Sequence, residues 1–291
     1  MAKTAVDEPI AYEQRLILFL DFLGFKEIVE ETTTDPKHLA RLLQAIDFLS
    51  QLKPDEADGG KQVTQFSDSV VVSYPVSAPS SVFILAYEVA LLIIDLAYAG
   101  FLVRGAITLG LLIHNDEYLV GPAMIRAYQM ESREAKNPRV VIDPRIVKIA
   151  RAYSVSQNSS SEEVDYVRGV MGAVRDLMTK DDDGRFFFDY ISWNSVVDEA
   201  RLDTDRYGSY LANIGRLVER GLRNKDPHVK EKYLWLHKRY VASIDEILRQ
   251  PDRSKWYQKY RDVAAAVKDL PKYKVLARNA ERVVAAAAGK A

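Results

Sequence analysis

The 291-residue sequence contains no cysteine. That absence excludes disulfides, thiol nucleophiles, iron–sulfur clusters and the common structural zinc sites together, so any chemistry must come from oxygen and nitrogen groups. Histidine is scarce as well: His38, His114, His228 and His237 stand singly, as packing or surface residues do. An excess of one charge sign is also missing. Forty Lys and Arg face 41 Asp and Glu, a net charge of −1, which excludes nucleic-acid binding through a broad positive field. Four motifs are absent: the phosphate loop GxxxxGK[ST], the dinucleotide GxGxxG, the zinc helix HExxH and the nucleophile elbow GxSxG. The stretch Met1 to Glu8 is polar, and the first apolar run, Leu16 to Leu20, stops at Asp21. The sequence therefore predicts no targeting signal and a cytoplasmic protein.

What is present is a chain 48% hydrophobic and 28% charged, able to bury a substantial core in one large domain or two small ones. Arg15 to Asp21 predicts a strand buried on both faces, stopped by a carboxylate and followed by Gly24. Asp35 and Pro36 predict a helix start, with Leu39, Leu42, Leu43, Ile46 and Leu49 as its core face. Gln62 to Tyr74 predicts a hairpin turning at Ser67, Asp68 and Ser69. Val82 to Val103 is long and apolar with only Glu88 and Asp95 as charges. Seven residues is about two turns, so the two acids share one wet stripe, and a buried helix is expected rather than membrane insertion. A strand from Leu102 to Ile113, a return at Tyr118 to Val120, a helix from Pro122 to Ala135 and a strand at Arg139 to Ile142 follow.

This order predicts an α+β fold: a ferredoxin-like antiparallel sheet with helices on one face. Residues 12–145 form the expected core. Residues 146–291 read as a mainly helical extension, with a loop-like Ser- and Glu-rich stretch at 157–163 that includes the sequon Asn158-Ser159-Ser160. An aromatic strand candidate lies at Arg185 to Trp193, and Tyr233, Trp235, Tyr240, Trp256, Tyr257 and Tyr260 recur along the charged tail. The extension is expected to pack on the core or at a subunit interface.

In the predicted strand order Asp21 and Asp68 meet, one at a strand end and one at a hairpin turn. Two carboxylates brought together repel unless a cation is present, and hard divalent ions suit such ligands. A pair of ions would hold the attacking and leaving oxygens of a phosphoryl displacement. Taken singly, each acid has an ordinary use, Asp21 as a helix cap and Asp68 as a turn former.

The run Leu18-Phe19-Leu20-Asp21-Phe22-Leu23-Gly24-Phe25 resembles the first-strand signature of class III nucleotidyl cyclases. Phe66-Ser67-Asp68-Ser69 is similar to their second-metal hairpin, where Gly usually precedes Asp. Arg104-Gly105-Ala106-Ile107-Thr108-Leu109-Gly110 is similar to their glycine strand. With Gly121 to Tyr128, Glu131, Ala135 and Pro138 to Asp143, the chain most resembles the pyrimidine cyclases of bacterial Pycsar antiphage systems. The resemblance implies two Mg²⁺ or Mn²⁺ ions on Asp21, Phe22 and Asp68, and a triphosphate on the backbone of Phe22, Leu23, Gly24 and Phe25. It implies cyclisation of UTP, or of CTP as second choice, in a head-to-tail homodimer whose product reaches a separate effector protein. The Asn and Arg that purine cyclases carry on the following helix fall on Ile125 and Gln129. Arg126 is the nearest cation for the transition state, with Arg104 behind it. Thr64 is the candidate base-reading residue, and Tyr74 or Tyr128 would narrow the pocket. The missing pair motivates an alternative, a catalytically silent nucleotide-binding module. The GG[DE]EF hairpin of diguanylate enzymes is absent.

Overall fold

A computed structural model describes residues 10–50, 52, 60–77, 81–146, 176–250 and 254–289. The Ser- and Glu-rich stretch with its sequon and most of the loop from Pro54 lie outside the described residues. Labels number the described elements in chain order.

Strand β1 (Glu13–Phe22) lies at the centre, with every residue from Arg15 to Leu20 buried. After the short helix α1 (Phe25–Thr32), α2 (Pro36–Ser50) starts where its sequence predicts. Asp35 Oδ1 accepts from the backbone N–H groups of Lys37 and His38 at 2.9 and 3.1 Å. Its core stripe is His38, Leu42, Ala45 and Leu49, whereas Leu39 and Leu43 are exposed. Both stripes obey helical spacing, and contact with α1 and α3 (Ser81–Ala99) selects the first. Hairpin strands β2 (Gln62–Phe66) and β3 (Ser69–Pro75) leave Ser67 and Asp68 in the turn. Strand β4 (Val103–His114), β5 (Leu119–Val120), α4 (Pro122–Glu134) and β6 (Val140–Ile142) complete the expected segment.

The sheet runs β2-β3-β1-β4-β6, antiparallel except for β4 with β6. Its first four strands carry the ferredoxin-like order. The helices do not all share one face. Leu16, Leu18 and Leu20 of β1 point toward α2 and α3, but Ile17 and Phe19 pack with Ala123 and Ala127 of α4 on the opposite face. Alternation along a doubly buried strand requires cover on both sides.

The sheet also continues past residue 145. Strands β7 (Met178–Lys180) and β8 (Phe186–Phe188) extend it beyond β6. Of the aromatic stretch at Arg185 to Trp193, only Phe186–Phe188 is strand, and Asn194–Glu199 forms a π-helical turn. Helices α5 (Tyr207–Arg223), α6 (Pro227–Leu248), α7 (Lys255–Lys259), α8 (Arg261–Lys268) and α9 (Lys274–Ala288) follow. Tyr210, Leu211, Ile214, Leu236 and Tyr240 from these helices share one continuous apolar cluster with β1 and α3. Trp193 gathers Tyr207, Trp256 and Tyr260 around it. Among the described residues one helix, α3, is long and apolar enough to cross a membrane. Of its two acids, Glu88 pairs with Lys61 Nζ at 2.9 Å.

Candidate active site

The register of three strands builds the site. Asp21 stands directly opposite Ser69 on β3 and Arg104 on β4, and side chains directly opposite across a ladder interact. Ser69 Oγ donates to Asp21 Oδ1 at 2.9 Å, and Arg104 Nη2 approaches Oδ2 at 3.4 Å. Asp68 enters from the turn, where its carbonyl accepts from the N–H of Phe22 at 3.2 Å. The residue before it, Ser67, has φ 47°, a left-handed conformation. Glycine adopts that conformation without strain, which accounts for the glycine that the resembling hairpins carry there.

The two acids lie close enough for the Asp68 charge to act on Asp21. Burial, then that charge, raises the Asp21 carboxyl above the ordinary carboxylate range, against the pull of Ser69 and Arg104. Asp68 has no ion pair within 4 Å among the described residues. An oxygen-only pair left under-neutralised in this way fits a hard divalent cation. Among the described residues no group of three or more His, Cys, Asp or Glu is placed to hold a metal, so the candidate ligands are this pair together with backbone oxygen.

Gly24 follows at φ 75°, a left-handed residue that turns the chain into α1. Two of the four backbone positions expected to hold phosphate, Phe22 and Leu23, do not have free amides. The N–H of Phe22 goes to Asp68 and that of Leu23 to the Leu102 carbonyl at 2.8 Å. Their amides are spent, so the available donors are those of Gly24, Phe25 and the next residues, at the end of a helix that leaves its first N–H groups unpaired. The side chain of Phe22 is buried against Phe25 and Phe101.

Two residues that the motifs did not single out for a role complete the surroundings. Glu131 of α4 is buried, 2.6 Å from Arg104 Nε, and its carboxyl is raised by burial, with Arg104 acting the other way. Arg104 is thus held between Asp21 and Glu131. Lys232 of α6 lies in the field of Arg104 and Glu131, and burial and Arg104 lower its ammonium. It lines a cavity of about 270 Å³ together with Leu23 and Gly24. The helical extension therefore reaches the candidate phosphate loop.

The other two candidates sit elsewhere. Arg126 makes no ion pair with either acid in the same chain. Its Nη1 pairs with Glu134 Oε1 at 3.0 Å, and it faces a separate depression shared with Gly110, Asp143 and Arg145. Residues 126 and 131 lie on different sides of α4, about 140° apart at 100° per residue. Thr64 Oγ1 lies 2.9 Å from His114 Nε2, so its hydroxyl is already engaged. Tyr74 is buried with its hydroxyl on Glu88, and Tyr128 is exposed beside Phe19.

No protein-family model matches the chain, and no curated protein matches it. Solved structures similar to it include the adenylyl cyclase CyaB from P. aeruginosa, at 14% identity over 48% of this chain and 82% of that one, with a TM-score of 0.36. The guanylyl cyclase domain of the RhoGC fusion protein from Blastocladiella emersonii is 18% identical over 48% and 86%, at 0.34. The catalytic core of a rhodopsin-guanylyl cyclase with converted specificity, in complex with ATPalphaS, is 18% identical over 61% and 95%, at 0.37. At TM-scores below 0.5 these likenesses decide nothing about the activity of this chain.

Proposed function

We propose that the chain is a pyrimidine nucleotide cyclase, converting UTP, or CTP as second choice, to the 3′,5′-cyclic nucleotide and pyrophosphate. The observation that carries this reading is the meeting of Asp21 and Asp68 beside Gly24 and the start of α1. The motif resemblance supplies the substrate class. Asp21, Asp68 and the backbone of Phe22 would hold Mg²⁺ or Mn²⁺, which when bound neutralises triphosphate charge and favours the alkoxide form of the ribose hydroxyl. The amides of Gly24 and Phe25 bind phosphate oxygens, and Arg104 and Lys232 add positive charge on the same side. Reaction is then largely positioning and charge neutralisation.

A homodimer belongs to this reading. Ile125 and Tyr128 of α4 are 61% and 56% exposed, with Leu111 and Val120 exposed nearby on β4 and β5. An apolar face of this kind suits a second copy, whose Arg126 would then reach the first copy's acids. In the cell the cyclic product would act as an antiphage signal on a separate effector, in the cytoplasm and without nucleic acid or membrane insertion.

One observation favours the alternative of a catalytically silent nucleotide-binding module: Arg104 already engages Asp21, and Arg126 meets neither acid within one chain. Incubation with each of the four ribonucleoside triphosphates and Mn²⁺, with products identified by mass spectrometry, separates the two. The expected result is cyclic UMP as main product, reduced at least about 100-fold in Asp68→Ala. Binding without any cyclic product establishes the silent module, and purine products alone sink the pyrimidine assignment.

A further inference from the structure

A second cluster of positive charge lies away from the acid pair, at a cavity of about 620 Å³ between α2, the end of α3 and α5. Arg41 of α2 and Arg206, Arg216 and Arg220 of the extension line it, with His38 at one side and Asp95 as the one acid among the lining residues. Among the described residues only Arg220 of the four has a carboxylate within 4 Å, although Arg206 also lies in the field of Asp95, Asp203 and Asp205. Arg220 lies 3.4 Å from Glu31, with both side chains about half exposed. Arg206 lies over the Tyr98 ring, 4.9 Å from its centroid, and Arg216 donates to the amide oxygen of Asn213. Arg41 has no polar partner among the described residues.

We propose that this cavity binds a polyphosphate anion of nucleotide size. Four guanidiniums around one concave space repel one another, and a single anion with several oxygens relieves all of them. The planar guanidinium fork matches phosphate oxygens bidentately, so arginine rather than lysine is the residue expected here. The volume falls within the roughly 300–1,000 Å³ of small-molecule sites. Phe48 lines the cavity beside the cationic groups as an apolar surface for a nucleoside, whereas the Tyr98 ring is already stacked on Tyr210 and covered by Arg206. The four arginines are exposed but confined to one concavity, and such a localised cluster on a chain of net charge −1 suits a compact anion, since a nucleic acid needs an extended positive surface.

The site lies where the sheet's helices meet the extension, as Asn213 of α5 donates to the Tyr98 carbonyl at 2.9 Å there. It is distinct from the acid pair, since neither Asp21 nor Asp68 lines it. It does adjoin the cavity at Gly24, sharing His38, Phe101, Leu217 and Arg220 with it. A bound anion would therefore fasten the extension to the core next to the phosphate loop.

The test is calorimetric titration of the full-length protein with inorganic tripolyphosphate and, separately, with UTP, in EDTA to silence cation-dependent binding at Asp21 and Asp68. Binding is expected in both titrations. It should weaken at least about tenfold in Arg41→Glu and in the milder Arg41→Gln, the loss of one charge-assisted bond, and stay unchanged in Asp21→Asn. Unliganded melting curves check that each variant folds. Equal affinity for the two probes identifies the polyphosphate alone as the ligand, and tighter UTP binding identifies a nucleotide. No binding in EDTA, or binding that both Arg41 variants retain in full, overturns the proposal. Either result leaves the cyclase reading standing, because that reading fails only on the absence of cyclic product.

Discussion

His114 shows what one buried ring does to this molecule. Its Nδ1 lies 2.8 Å from Ser73 Oγ and its Nε2 2.9 Å from Thr64 Oγ1, while Arg15 Nε donates to the same Ser73 oxygen at 2.8 Å. Both ring nitrogens are thus engaged with hydroxyls, each of which can donate or accept to suit the neutral ring. Burial, with the Arg15 charge behind it, pushes the ring down to about 4 from 6.5. The folded state thus prefers the neutral ring, and on acidification the unfolded chain takes up its proton first. The stabilisation from this residue is complete above pH 6.5 and is lost as pH falls from 6.5 through about 4, by roughly 3 kcal/mol in all. Urea denaturation between pH 7.5 and 4.5 checks it. His114→Gln should lose clearly less stability than the native protein across that window, and parallel losses would show that the ring is not responsible.

Among the helices, α5 and α6 pack through a glycine that leaves no room for anything larger. A Cβ on Gly221 would stand 1.9 Å from the Tyr233 ring, so Gly221→Ala forces that ring to move. Helix propensity favours alanine by about 1 kcal/mol, but overpacking costs about 1–3 kcal/mol, and contact with a nearly buried ring puts this case at the upper end. The expected result is a net loss of about 2 kcal/mol in denaturant unfolding. Tyr233 also lines the cavity at Gly24, so nucleotide binding should weaken alongside; a variant as stable as the parent would show that the ring yields freely. Elements like these were legible in the sequence to different degrees. The start of α2 could be read because Asp35 and Pro36 are a local signal, and the Asp21–Asp68 meeting because strand order alone puts β3 beside β1. Leu39 and Leu43 fit a core stripe by spacing because two stripes share the same period, and only contact with α1 and α3 decides between them. Strand β7 has three residues and no alternation to detect. Glu131 and Lys232 carried no motif that marked their role, since each becomes part of the site only when α4 and α6 fold against Arg104.

For the whole molecule the question is whether sheet and extension are separable. One buried carboxylate argues that they are not. Asp181, in the turn between β7 and β8, pairs with the buried Arg139 beside β6. It also accepts from Trp235 Nε1 and Arg239 Nη2 of α6, each at 2.7 Å. Asp181→Ala would leave Arg139 with Asp183 as its carboxylate partner and the Glu134 carbonyl as a further acceptor, and removing one partner from a buried ion pair costs about 3–5 kcal/mol. The surviving Asp183 contact sets the lower end, about 3 kcal/mol, as the expected loss in chemical denaturation, and a loss below about 1 kcal/mol would mean that solvent replaces the contact. Truncation after Asp203 asks the same question more severely. It removes Tyr210, stacked on Tyr98 at 6.1 Å, and Tyr207, whose hydroxyl donates to the Ile191 carbonyl at 2.7 Å, uncovering one side of α3 and the Trp193 cluster. Because the apolar cluster runs unbroken from β1 through α3 into α5 and α6, the fragment should lose cooperative unfolding and bind a hydrophobic dye as partly packed states do. A fragment that melts sharply at the full-length temperature would show instead that the sheet holds itself, and the extension would then be a cover laid over a finished core.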